Sequence, residues 1–402
     1  MRHHWSIMLA AAALGACGDD SLVTQPTASL GASQAVPGYH VDRLTPSLGG
    51  TRSRGAAIDA RGEVAGFSLL AGNTNRHAAL WSGGSIEDLG TLGGTGSTVP
   101  WPGLNERGMV VGIAHIAQQD TLGEGWSCVF FLPNPNDEIC RGFFWENGVM
   151  TAMPTLGGDR SFATGVNNRG QVVGWAETAV IDPTCHPTDS DQRLQFNAVL
   201  WEPKRNRITA LRPFPGDSAS AATAINDSGQ AVGISGDCDI AVGRFSAKRA
   251  VLWDRGEVRE LPNLGGEAWH TPMDISEAGD VVGFSNPPGV TGGDLVPHGF
   301  FWSPRSPGAI TDIPPLDGDD NSQAFALNSR RQVVGVSCKG AACRAFLWEN
   351  GKLHDLQDLA ELAPGDSIIS ARDINDRGEI TGDLLDRSTG TTWAFVARPR
   401  VE

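Results

Sequence analysis

Four aspartates stand beside glycine in short turns: Asp159, Asp217, Asp319 and Asp366. Carboxylates brought together from separate loops can build an acid–base site, one group giving a proton and another taking it. These four are the sequence candidates for such a scattered site. No local catalytic motif accompanies them: there is no G-x-S-x-G elbow, no H-E-x-x-H pair, no phosphate loop and no dinucleotide fingerprint. Gly216-Asp217-Ser218 looks like a nucleophile segment but occupies an ordinary Gly-Asp turn. Asp317, Asp319 and Asp320 offer oxygens that suit Ca²⁺, without the spacing of an EF-hand loop, and read first as a solvated turn. Trp101, Trp126, Trp175 and Trp269, with His115, His186 and His270, form a second group. Exposed indoles on loop tips suit sugar rings or protein anchors, and the same residues could instead plug large loops onto the core.

The elements that must position these residues are repeats. A phrase recurs along the chain: an apolar residue, Asn or a polar substitute, a tight turn holding Gly, then a β-branched run ending in Gly. Its polar marks are Asp59, Asn105, Asn167, Asn226, Ser276, Asn328 and Asn375, at intervals from 46 (59 to 105) to 62 residues (105 to 167). Units of this kind cannot bury their faces alone. After each phrase comes an aromatic-aliphatic strand ending in Trp, as in Ala198-Val199-Leu200-Trp201, shifted in the last copy to Trp393-Ala394-Phe395-Val396. A fourth strand ends in Gly-Gly or Gly-Asp. Alternation, β-branched residues and closely spaced turns predict an all-β chain of four-stranded units. Repeat six carries Arg331 where the others have the turn Gly, so its turn is strained or different.

The last unit stops after its third strand, Trp393 to Arg398, and the missing strand reads at the other terminus, Tyr39 to Leu44. A ring sewn shut by that strand protects the sheet edges. The expected fold is a seven-bladed β-propeller over 39–402, with an open β-repeat solenoid as the alternative. The recurrent Trp residues read as framework anchors. Ser53, Ser97, Ser161, Ser220 and Ser322 follow the Gly-rich turn at a common interval and read as caps on backbone groups.

The phrases HAALW (77–81), RAFLW (344–348), TLGG (91–94, 155–158), AINDSGQAVGIS (224–235) and VNNRGQVVGWA (166–176) resemble the extracellular repeats named HAF after their His-Ala-Phe motif. The likeness covers nearly all of Tyr39 to Arg398. Only His77 and His298 keep the motif's His. The resemblance implies an exported protein and a repeat architecture, and no catalytic residue. Arg2, the short apolar stretch Trp5 to Leu14 and small residues before Cys17 form a secretion signal, too short to stay in a bilayer as a helix. Leu14-Gly15-Ala16-Cys17 is similar to the lipobox of bacterial lipoproteins, which implies cleavage after residue 16, acylation of Cys17 and, with Gly18 following, an outer-membrane address. Residues 17–38 then hold the lipidated Cys and a Ser/Thr/Pro-rich tether.

Setting Cys17 aside leaves six cysteines, an even number suited to an oxidising compartment. All six fall between the second and third strands of a unit. Their positions point to Cys128–Cys140, Cys185–Cys238 and Cys338–Cys343, among the many connectivities six cysteines allow. A metal site is the rival, without a second Cys or His at zinc-finger spacing. A net charge of −15 repels phosphate backbones and argues against nucleic-acid partners. The Gly-rich loops, cystine insertions and spare Trp share one face of such a disc. The expectation drawn from them is a non-catalytic binding module for protein or glycan at the cell envelope, with no cofactor. The alternative is a propeller hydrolase or lyase acting on polysaccharide, and a purely structural envelope protein is a third reading.

Overall fold

A computed structural model describes residues 38–400 except 125, 135, 186–191, 241–242 and 292–293. The expected secretion signal, Cys17, the expected tether up to residue 37 and His186 lie outside the described residues. The chain is all-β and propeller-like. Five sheets are four-stranded antiparallel meanders, such as Gly157–Val166, Val172–Ile181, Leu194–Glu202 and Arg207–Leu211 in chain order. The sixth sheet has nine strands. In it the meander from Gly49–Ile58 to Ser85–Asp88 meets Asp366–Ile374, Ile380–Asp386 and Thr391–Pro399 through one parallel pair, Arg52 with Thr392. Apolar side chains fill the gaps between neighbouring sheets, as where Val232 and Leu252 meet Val281, Phe300 and Trp302.

The two ends of the chain zip together. Tyr39–Arg43 runs antiparallel to Thr391–Pro399, Tyr39 opposite Pro399 and Arg43 opposite Phe395. Tyr39 is fully buried, Arg43 pairs with Asp366 and Asp386, and Arg398 reaches Asp42 at 2.7 Å.

The repeated phrase has a physical reason at each position. Its final Gly lies against a carbonyl of the first strand: a Cβ on Gly66, Gly174 or Gly335 would come within 1.9, 1.8 or 2.0 Å of the oxygen of Arg54, Phe162 or Gln323. The approach is that close because the first strand shifts register there by a bulge, between Gly55 and Ala57 or Ala163 and Gly165. The turn Gly is left-handed, with φ from 75° at Gly170 to 85° at Gly229; Arg331 takes the same conformation at 62° and is held by a two-pronged bridge to Asp280 at 2.8 and 3.1 Å.

The marker Asn closes its own turn and grips the next sheet. In Asn105, Oδ1 accepts the N–H groups of Arg107 and Met109 at 3.0 Å, while Nδ2 donates to the Asn167 carbonyl at 2.9 Å. Asn167 donates likewise to Asn226, Asn226 to Ser276, Asn328 to Asn375, and Asn375 to Asp59. Asp59 and Ser276 have no amide to give. There the seams are made otherwise: the Ala60 N–H donates to Glu106, and the Leu327 N–H donates to Asp274 at 3.0 Å. The circuit thus closes on itself. The recurrent serines make a parallel set of ties. Ser97, Ser161, Ser220 and Ser322 accept an N–H from the third strand of the preceding sheet and donate to a carbonyl at the end of its fourth, and Ser53 accepts the Ala394 N–H at 2.9 Å.

Removing one amide strands a buried carbonyl and two turn N–H groups, each worth roughly 1–3 kcal/mol when unpaired. Asn375→Ala is therefore expected to cost about 2 kcal/mol or more in urea unfolding, and Ser276→Asn to gain about 1 kcal/mol by completing the circuit. An Asn375→Ala protein that unfolds alongside the wild type would show that the circuit carries no stability.

Candidate active site in the axial mouth

The first strands of the sheets pack around a common axis, and their turns surround one mouth of it. Two residues before each marker the sequence is small: Ala57, Gly103, Gly165, Ala224 and Ala326. The two exceptions are Asp274 and Asp373. Both follow the bulge, between Pro272 and Asp274 and between Ala371 and Asp373.

Each of these carboxylates accepts two backbone hydrogen bonds. Asp274 takes the N–H of Ile275 at 2.7 Å through Oδ1 and that of Leu327 through Oδ2. Asp373 takes Ile374 at 2.8 Å and Ile58 at 2.7 Å in the same way. Such bonds favour the ionised form, yet burial outweighs them at both sites. Burial pushes Asp274 up to about 6, with the Glu277 charge adding to it. Burial pushes Asp373 up to about 8, and the charge of Asp274 is the next contribution. The Asp274 charge thus adds to burial in holding the proton on Asp373. Both remain partly open to the axis. Asp274 lines a cavity of about 390 Å³ together with Glu106, Glu277, Asn328, Asn375 and Asp376, a wall with four carboxylates and no cation. Burial also raises Glu106 and Glu277.

The residues singled out from sequence lie elsewhere. Asp217 accepts from Ser235 at 2.8 Å and Arg249 at 2.6 Å, and Asp319 from Ser337 at 2.7 Å and Arg344 at 2.9 Å. Asp366 holds Arg43, and Asp159 lies within the field of Arg141. They brace separate sheets and are not brought together. Around Asp317, Asp319 and Asp320 the Arg344 guanidinium bonds both Asp319 and the Asp317 carbonyl.

Trp101 and Trp175 are brought together, but inward. They are 5% and 2% exposed, meet edge to face with centroids 5.6 Å apart, and Trp175 stacks on Phe162 at 4.5 Å. Trp269 is half-buried at φ 65°. Trp126 opens the short helix Trp126–Phe131, and its side chain is outside what is described. His270 is buried, bonded to Ser285 Oγ at 2.8 Å and pushed down to about 4 by burial; His115 is likewise pushed to about 4.

The disulfides are Cys128–Cys140, Cys185–Cys238 and Cys338–Cys343. Among the described residues, the groupings tight enough for a metal are His115–Cys128–Cys140 and Asp182–Cys185–Cys238, whose sulfurs are committed to those bonds and offer no thiolate.

No family model matches the chain, and no curated protein matches it in sequence. Solved structures do match in shape. Acylaminoacyl peptidase of Pyrococcus horikoshii is similar at 11% identity and TM-score 0.49, over 85% of this chain and 50% of that one. TolB of Acinetobacter baumannii matches at 10% identity and TM-score 0.42, over 84% and 64%. Dipeptidyl peptidase 4 of Porphyromonas gingivalis matches at 8% and TM-score 0.40, over 83% and 51%. This chain spans about half the length of those two peptidases. Likeness at this level speaks for fold alone. The expectation of a non-catalytic binding module is corrected in favour of its hydrolase alternative on the residues themselves. Two of the indoles that supported it, Trp101 and Trp175, are core residues, and the chemistry gathered at the axis is a pair of carboxyls.

The pH dependence of stability follows. The native state keeps protons on Asp274 and Asp373 that the unfolded chain releases near pH 4. Between about pH 4 and pH 8 the native state binds more protons, so stability falls as pH rises through that window. Asp373→Asn is expected to flatten the melting temperature between about pH 6 and pH 8. A slope unchanged in that variant would show that Asp373 does not titrate there.

Proposed function

We propose that this chain is an exported, seven-bladed propeller hydrolase that cleaves glycosidic bonds in a neutral or amino-sugar glycan at the cell envelope. Asp373 acts as general acid and Asp274 as general base or nucleophile. The observation that carries this reading is the placing of two carboxyls, Asp274 and Asp373, in a column otherwise of Ala and Gly, each bonded across a seam to Leu327 or Ile58 and each raised by burial, to about 6 and about 8. A pair pushed apart in this way assigns its own roles: the neutral member gives a proton to the leaving oxygen, and the ionised one activates water or attacks the anomeric carbon. The four carboxylates lining the mouth disfavour a polyuronate, which sets hydrolysis above the lyase form of this reading. The HAF-like phrases and the lipobox-like Leu14-Gly15-Ala16-Cys17 support export and a lipid anchor.

Reducing-end release from a panel of neutral and amino-sugar glycans tests the activity. kcat/KM is expected to follow a bell in pH with limbs near 6, where Asp274 ionises, and near 8, where Asp373 loses its proton. Asp373→Asn should lower kcat/KM by about 100-fold or more. No turnover on any glycan, or turnover that survives both Asp274→Asn and Asp373→Asn, would overturn the assignment. For the anchor, Cys17→Ala is expected to move the protein from the membrane fraction to the soluble one, and an unchanged distribution would remove the lipid.

A further inference from the structure

Several arginines elsewhere in the molecule are paired with a carboxylate, although Arg141 Nε is buried without a hydrogen-bond partner in the field of Asp159 and Glu177. Arg160 reaches Asp120 at 2.8 Å, Arg249 reaches Asp217 at 2.6 Å, Arg331 reaches Asp280 at 2.8 Å and Arg344 reaches Asp319 at 2.9 Å. One group breaks the pattern. Arg54, Arg76 and Arg372, with Arg52 beside them, gather where the strand Gly49–Ile58 packs on Asp366–Ile374 and Ile380–Asp386. Asp383 is the carboxylate within their field, and it is bonded to Arg372 at 3.4 Å. Four guanidiniums therefore share one anion.

Aromatic rings, not acids, hold these guanidiniums in place. Phe67 lies between Arg76 and Arg54, whose Cζ atoms stand 4.0 and 5.1 Å from its centroid, and Arg372 sits 4.5 Å over Phe325. A ring face orients a guanidinium but takes none of its N–H donors. Arg76 gives one to the Phe131 carbonyl at 2.9 Å, while Nε of Arg76 and Nε of Arg54 are buried with no hydrogen-bond partner. Burial and the neighbouring guanidiniums push Arg54 down to about 9 and Arg76 down to about 10, and both stay charged at neutral pH. Arg76 also lines a cavity of about 530 Å³ with Leu69, Asn75, Thr95, Leu132 and Asn134. The site is at the loop end of the axis, beside the insertion that carries Phe131, away from the turns that surround Asp274.

Unpaired buried donors and uncompensated positive charge both cost stability, and an oxyanion relieves both at once. We propose that Arg54, Arg76 and Arg372 form a binding site for an oxyanion, a phosphate or carboxylate group of a small anionic ligand. The proposal is independent of the hydrolase reading, since its test needs no turnover. Guanidinium forks match both groups in pairs of parallel hydrogen bonds.

The test titrates the full chain with sodium phosphate and, separately, sodium citrate, in chloride at constant ionic strength, reading heat of binding and melting temperature. Saturable binding that raises the melting temperature is expected, and the anion that does so at lower concentration identifies the group. In Arg54→Met the affinity should fall at least tenfold, and in chloride alone that variant should melt no lower than the wild type, because an unpaired charge has gone. Arg249→Met is the contrast: it strands Asp217, so it should melt lower while keeping anion binding. Arg76→Gln gives a second reading of the site should Arg54→Met fold poorly, again with weakened binding expected. Absence of saturable binding to both anions, or anion shifts that persist in Arg54→Met and Arg76→Gln, would overturn the site.

Discussion

Everything in this molecule hangs on one amide. The marker Asn accepts the N–H groups of its own turn and donates across to the next turn's carbonyl, so local conformation and sheet-to-sheet packing are fixed by the same side chain. The donor reaches its acceptor only if neighbouring turns stand at a set distance and angle. Variation in unit length is therefore pushed to the other end of the strands, where the insertions between second and third strands absorb it. The bulge and its glycine serve the same geometry. Without a Cβ at Gly174, the Phe162 carbonyl can close on the second strand and the turn stays aligned with its neighbours.

The candidate acids arise from that constraint. Ser276 cannot donate across its seam, and Asp274 accepts from Leu327 instead. Asp373 reinforces the seam where the chain's ends meet, accepting from Ile58 alongside the Asn375 amide. A carboxylate that fastens a seam is also delivered to the axis, where a neutral amide or a methyl would have no acid chemistry. Hydrogen bonding and burial then oppose each other at the same oxygens. Burial prevails, and the second carboxyl rises further because the first is charged.

The repeat, the four-stranded units, the terminal strand and the cystine pairs were legible because each depends on residues near in sequence or on a recurring spacing. The strained turn at Arg331 was legible too, as a departure from Gly. The first residue of the third-strand phrase gains a meaning that spacing alone could not supply. His77 and His298 bond Asp88 and Asp312 on the next strand at 2.8 and 3.0 Å, and Arg344 does the same with Asp355, which is why either side chain serves. The axial carboxyls were hidden because Asp274 and Asp373 are 99 residues apart (274 to 373) and only folding brings one within the field of the other. Their signal was present as two acids in a column of Ala and Gly. The aspartates chosen instead, in Gly-Asp turns, had arginine partners on a neighbouring strand that turn composition does not reveal.

Two of the four spare tryptophans follow the core reading that the sequence also allowed. Trp101, Trp175 and Phe162 pack with Cys128, Cys140 and Cys238, so the long insertions and their cystines build a second apolar layer over the sheets. Long loops need such a layer, since an insertion without its own core pays ordering entropy with little burial in return. Indoles recruited to that task cannot also greet a ligand. A loop-rich face is thus a poor guide to function when its loops must first fold themselves. In this chain the short turns, too small to need a core, carry Asp274 and Asp373 beside them, while Arg54, Arg76 and Arg372 gather on strands near the insertion that holds Phe131.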